Sequence, residues 1–213
     1  MRVRQAPSFA ILHTMEHPQT FVFFGRSGSG KGTQARLLVE YLEKETPHKA
    51  LYIETGARFR EFTEKNNNFT SELTREVMEH GRLMPEFLPV WVWADTLINQ
   101  FTGNEHLVLD GLSRRAHEAP VLHSALAFYK RENPHIIYLN ISHKRAFDML
   151  KSRGRADDTD ENINRRLSWF DDHVVPAINY FKNHDYFKFH EIDGSGTIEE
   201  VHDTVIRAIL KPA

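Results

Sequence analysis

The chain has 213 residues, of which 40% are hydrophobic and 26% charged, and its formal net charge is -2. That is enough chain for one sizeable core; no apolar run reaches the ~18 residues of a bilayer span, and the balanced charge argues against an electrostatic nucleic-acid binder. With no cysteine, disulfides and thiolate-held metals are excluded, and a reducing compartment, the cytoplasm, is the expected location.

Residues 1–18 carry Arg2, Arg4 and the run Phe9-Ala10-Ile11-Leu12. The run is too short for a secretory signal core, so the segment reads as an N-terminal extension. The first strand is expected over 20–25, from Phe21-Val22-Phe23-Phe24, and runs straight into Gly25-Arg26-Ser27-Gly28-Ser29-Gly30-Lys31-Gly32-Thr33-Gln34. The spacing G-x-x-x-x-G-K fits a phosphate-binding P-loop: the glycines let successive backbone N–H groups converge on phosphate oxygens, and the lysine neutralises charge there. Ala35, Leu37, Leu38 and Tyr41 supply the apolar stripe of a helix whose positive N-terminal end faces the same phosphates.

Further strand-like runs fall at 49–54, 106–110, 135–141 and 186–192, with helical stretches between them. Nearly continuous apolar strands alternating with helices predict an α/β three-layer fold, a five-stranded parallel sheet with ligands at the carboxyl ends of the strands. The stretch between the second and third strands is far longer than one crossover needs. Its helical patterns near 57–65, 70–80 and 86–100 predict an inserted cap over 55–102, with Phe87, Trp91 and Trp93 packing cap against core. Ile163, Leu167, Phe170, Val174, Ile178 and Phe181 predict one long helix over 160–182, bent near Pro176 and opened by a capping box of Asp158 and Glu161. Asp171-Asp172-His173 reads as its solvated face. The 13 histidines are dispersed and none forms an H-x-x-x-H pair on a helix with an acidic partner, so no zinc site is assigned.

Most P-loops carry Ser or Thr directly after the lysine; here Gly32 intervenes before Thr33 and Gln34. Gly-Lys-Gly-Thr-Gln resembles adenylate kinases and related nucleoside monophosphate kinases. Three more segments match in order: Thr55-Gly56-Ala57-Arg58-Phe59-Arg60 is similar to the family's Thr-Gly-Asp segment, Asp110-Gly111-Leu112-Ser113-Arg114 to its Asp-Gly-Phe-Pro-Arg, and Arg153, Arg155-Ala156-Asp157-Asp158 and Arg165-Arg166-Leu167 to its lid arginines. The resemblance covers residues 19 to 211 and implies a single kinase domain over 19–213.

The resemblance implies ATP at Gly25, Ser27, Gly28, Ser29, Gly30, Lys31, Gly32, Thr33, Gln34 and Met149, and the acceptor monophosphate at Thr55, Gly56, Arg60, Met84, Arg114 and Glu118. Lys31, Arg114, Arg153, Arg155 and Arg166 are the implied catalytic groups, and Asp110 the residue holding Mg²⁺ through water. The implied partners are ATP and a nucleoside monophosphate, with no nucleic acid and no membrane, and the implied state is a monomer. Independent physics agrees: phosphoryl transfer needs positioning and neutralised charge, and a phosphate acceptor is already anionic, so no general base is required.

Four departures qualify the resemblance. Ala57 replaces an aspartate that helps organise the metal's water shell; Met149 stands where an arginine commonly stacks on the donor base; Glu118 replaces a glutamine that reads the acceptor adenine; and a single residue, Gly154, separates Arg153 from Arg155. The last leaves no lid domain, just a loop over 153–158, so closure falls to the cap. Glu118 either reads the base, where guanine suits a carboxylate better on paper, or complements the dipole of a helix over 117–130. AMP is the favoured acceptor because of Thr55, with GMP or broad specificity the alternative. Two further alternatives are a small P-loop kinase acting on another metabolite and a catalytically weak nucleotide-binding protein.

Overall fold

The computed structural model describes residues 17–155 and 157–211; the extension assigned to 1–18 therefore lies outside them except for its last two residues, as does Ala156 of the lid loop. Five strands form one sheet in the order β2-β3-β1-β4-β5: β1 (Thr20–Gly25), β2 (Ala50–Glu54), β3 (His106–Asp110), β4 (His135–Asn140) and β5 (Lys188–Asp193). Every pairing is parallel, and the register sets Phe23 beside Asp110 and Gly25 beside Leu139. β1 is buried along its length because both of its faces are covered. Val22 and Phe24 meet Trp93, Leu122 and Phe181 on one side, while Phe21 and Phe23 meet Leu38, Leu42 and Val205 on the other. With both faces covered, β1 reads as a continuous apolar run.

Helix α1 (Lys31–Glu45) and α9 (Ile198–Ile209) cover the second of these faces. α4 (Phe87–Gln100), α5 (Glu118–Phe128) and α8 (Val175–Lys182) cover the first. α2 (Thr55–Lys65), α3 (Phe69–Glu79) and α4 fill the insertion between β2 and β3, joined by a small cluster of Phe59, Met84, Leu88 and Val92. Trp93 is buried as expected, but Phe87 is 66% and Trp91 45% exposed. They stand on the opposite face of α4, so core packing holds for Trp93 alone of the three.

α6 (His143–Arg153) stops at Gly154, whose φ of 63° caps it, and α7 (Asp160–Trp169) begins six residues later, leaving a short loop where a lid domain would stand. The long helix expected over 160–182 is three pieces: α7, a π-helical turn at Phe170–Val174, and α8 with Pro176 in its first turn. The deviation comes just before the proline, and the Val175 N–H bonds back to the Phe170 carbonyl. The cap of α7 also differs from expectation. Thr159 accepts from the Asn162 N–H, because the Asp158 carboxylate is engaged elsewhere.

Candidate active site

The P-loop joins the central strand to α1 at the carboxyl edge of the sheet, where open α/β sheets bind ligands. Gly28 and Gly30 have φ of 84° and 86°, left-handed values that glycine adopts without strain. At Gly28 a Cβ would also lie 2.7 Å from the Ala146 carbonyl, so α6 closes over the loop. A cavity of about 470 Å³ opens here.

Of the residues assigned from sequence, Ser27, Gly28, Gly30, Lys31, Gly32, Thr33, Met149, Thr55, Gly56, Arg60, Met84, Asp110, Arg114, Glu118, Arg153, Arg155 and Arg166 line this one cavity. Gly25, Ser29 and Gln34 do not. Ser29 is turned inward beneath Gly25, where an added Cβ would sit 2.6 Å from its Oγ. The Gln34 side chain donates to the Ile198 carbonyl at 2.9 Å and ties α1 to the start of α9. Both side chains face the core side of their turn.

Lys31 donates to the Arg26 carbonyl at 3.0 Å. Burial lowers its pKa to about 8, against the opposing pull of Asp110. Asp110 is buried at the end of β3, and burial raises its pKa despite Lys31 and Arg114. A Cβ at Gly32 would stand 3.3 Å from Asp110 Oδ2; with glycine there, that oxygen stays open to the cavity, and Tyr52 donates to it at 3.4 Å. Arg114 Nε donates to the Gly111 carbonyl at 3.0 Å. Thr55 is 3% exposed and lines the cavity, and its buried hydroxyl has no protein partner.

Glu118 lines the cavity as the first residue of α5, and its Oε2 accepts from the Arg114 N–H at 2.8 Å. Burial raises its pKa, opposed by the Arg114 and Arg115 N–H groups. Glu118 therefore opens the helix and lines the cavity at once.

Arg153 and Arg166 are held by acids. Asp158, its side chain 1% exposed, accepts from Arg153 Nε and Nη2 at 2.9 and 2.7 Å and from Arg166 Nη2 at 2.7 Å. Asp157 accepts from Arg166 Nη1 at 3.1 Å. Hydrogen bonds from both arginines lower the Asp158 pKa against the opposing effect of burial.

Sequence reasoning assigned no role to Glu54. It ends β2 at the cavity wall and bridges Arg36 Nη2 at 2.7 Å and Arg60 Nη2 at 3.0 Å. An acid closing a buried strand immediately before Thr55 was the available signal. Arg26 was also missed. Its guanidinium lies 4.6 Å over the Phe170 ring and 2.5 Å from Asp171 Oδ1, both in the π-helical turn, so Asp171 is paired with the P-loop.

A central strand, a glycine-rich loop and convergent arginines define a P-loop phosphotransferase. The family model "Adenylate kinase" matches residues 23–186. The chain is 32% identical over 188 residues to the adenylate kinase of Flavobacterium psychrophilum, covering 84% of this chain and 92% of that protein. It is 32% identical over 190 residues to that of Mycobacterium tuberculosis (89% and 98% covered), and 29% identical over 194 residues to that of Phocaeicola vulgatus (89% and 97% covered). The chain belongs to the adenylate kinase family and is an enzyme that transfers a phosphoryl group from ATP to a nucleoside monophosphate.

Proposed function

We propose that the acceptor is AMP, so that ATP and AMP give two ADP. The observation that carries this reading is Thr55, which lines the cavity together with Gly56, Arg60 and Met84 and whose buried hydroxyl has no protein partner. A buried polar group without a protein partner is costly unless a ligand supplies one. The amino group or a ring nitrogen of adenine on that wall would do so.

In this reading Lys31 and the P-loop N–H groups hold the donor phosphates, Arg60 and Arg114 hold the acceptor phosphate, and Arg153, Arg155 and Arg166 neutralise the phosphoryl group in flight. The acceptor oxygen is anionic, so the chain supplies no base. Mg²⁺ accompanies ATP, and Asp110, with its Oδ2 open beside Gly32, fits a role as acceptor for the ion's waters. The ion neutralises donor phosphate charge when bound. Residues 55–102 act as the acceptor-binding cap and 153–158 as a minimal lid loop. The protein works as a cytoplasmic monomer; no helix among the described residues is long and apolar enough to cross a membrane.

A coupled assay of ADP formation over AMP, GMP, CMP and UMP tests the acceptor. The expected outcome is the highest kcat/KM with AMP, abolished in a folded Lys31→Ala protein. A preference for GMP overturns the AMP reading, and normal turnover by Lys31→Ala overturns the site.

A further inference from the structure

The C-terminus of α3 ends a helix, and its last carbonyls lack intrahelical partners. In this protein three consecutive carbonyls there, that of Glu79 on the helix and those of His80 and Gly81 just past it, are taken by side chains from a different part of the chain. Asn162 Nδ2 donates to the Glu79 carbonyl at 2.7 Å, Arg165 Nη1 donates to that of His80, and Trp169 Nε1 donates to that of Gly81 at 3.2 Å. Positions 162, 165 and 169 share one face of α7, spaced by three and four residues. The Arg165 cation also meets the negative end of the α3 dipole.

Gly81 shows how close the two segments come. Its φ is 59°, and a Cβ there would lie 3.1 Å from Asn162 Cβ and 3.2 Å from the Asn162 carbonyl. Two parts of the cleft are therefore fastened together. Gly81 begins the cavity wall that continues through Arg82, Leu83 and Met84, on the acceptor side, while Arg166, on α7 between the three donors, enters the same cavity from the lid side. Arg166 Nε itself donates to the Asn162 carbonyl at 3.3 Å.

We propose that Asn162, Arg165 and Trp169 are positioning residues that latch the cap onto the arginine-bearing helix. The wall that receives the acceptor and the arginine that meets the transferring phosphoryl are thereby set by one contact. The latch does the aligning for which the six-residue loop between α6 and α7 is too short. This rests on the reading of residues 81–84 as acceptor wall.

Trp169→Phe removes the donor and keeps the ring; Asn162→Ala removes the second donor. Each is expected to raise KM for AMP several-fold and lower kcat, leaving KM for ATP within twofold and Tm within about 2 °C. Amide hydrogen exchange at residues 79–84 should accelerate in both. Equal shifts in the two KM values, or unchanged exchange at 79–84, would overturn the latch. If instead exchange accelerates while the KM for ATP moves and that for AMP does not, the latch stands and the acceptor-wall reading fails. The exchange readout does not depend on turnover, so it tests the latch even in a protein inactive with AMP.

Discussion

Replacing Asp158 with alanine removes the acid on which the lid arginines converge. Its carboxylate, almost fully buried, accepts two hydrogen bonds from Arg153 and one from Arg166, together with the Arg155 N–H at 3.2 Å. Losing an oriented charge stabiliser outright costs about 2.7–4 kcal/mol in the barrier. Here two arginines keep their charge and lose their orientation, so the sum should come near 3 kcal/mol, about a hundredfold in kcat. The folded state should also lose about 2–3 kcal/mol, because Arg166, its side chain 12% exposed, keeps Asp157 as its one carboxylate partner. The assay is ADP formation at saturating ATP and AMP, with urea unfolding in parallel. A kcat within threefold of wild type, whatever the stability, would refute the claim that Asp158 sets the arginines.

The remaining predictions concern protons and the base. Burial holds the Lys31 pKa near 8 in the free enzyme, so kcat/KM for ATP should fall as pH rises through about 8; a profile flat to pH 9.5 would contradict this. Burial lowers the pKa of His106 to about 4 and of His135 to about 3, below the ordinary 6.5. The unfolded chain therefore binds more protons between these values, and stability should fall as pH drops below 6.5, by about 2 kcal/mol or less from each histidine at pH 5. Urea unfolding at pH 7 and 5, in wild type and His135→Phe, checks this, and an undiminished loss in the variant would exclude His135. Glu118→Gln keeps an acceptor for the Arg114 N–H and turns an amide donor toward the cavity, so the AMP-to-GMP ratio of kcat/KM should rise several-fold; an unchanged ratio would confine Glu118 to its backbone contact.

The elements were legible because they are local. The Phe21–Phe24 run, the glycine spacing and the stripe of α1 each lie within a dozen residues, and they place the loop and sheet correctly; of the expected stripe Ala35 and Leu38 are buried, and Leu42, not Leu37 or Tyr41, completes it. Spacing failed where a π-turn replaces an α-turn, because Phe170 and Val174 fit either helix. It also failed for the cap of α7, since Thr159 and Asp158 are neighbours and the carboxylate's distant partners decided between them. Arg26–Asp171, Arg36–Glu54 and the Asn162–Glu79 contact each join segments far apart in the chain. Periodicity carries no record of such pairs, and they account for most of what was missed around the cleft.

The π-helical turn also limits how the chain can change. It amounts to one residue inserted into an α-helix, and Asp171, Asp172 and His173 within it are exposed, a place where a deletion would look harmless. Yet each residue of a helix turns the chain by about 100°. Removing one would regularise the helix and swing every later side chain around its axis, taking Ile178 and Phe181 out of the core, or else carry Asp171 and Phe170 away from Arg26. Any of these three surface positions can accept a different side chain far more readily than it can be omitted. Here the chain's length is held more tightly than its spelling.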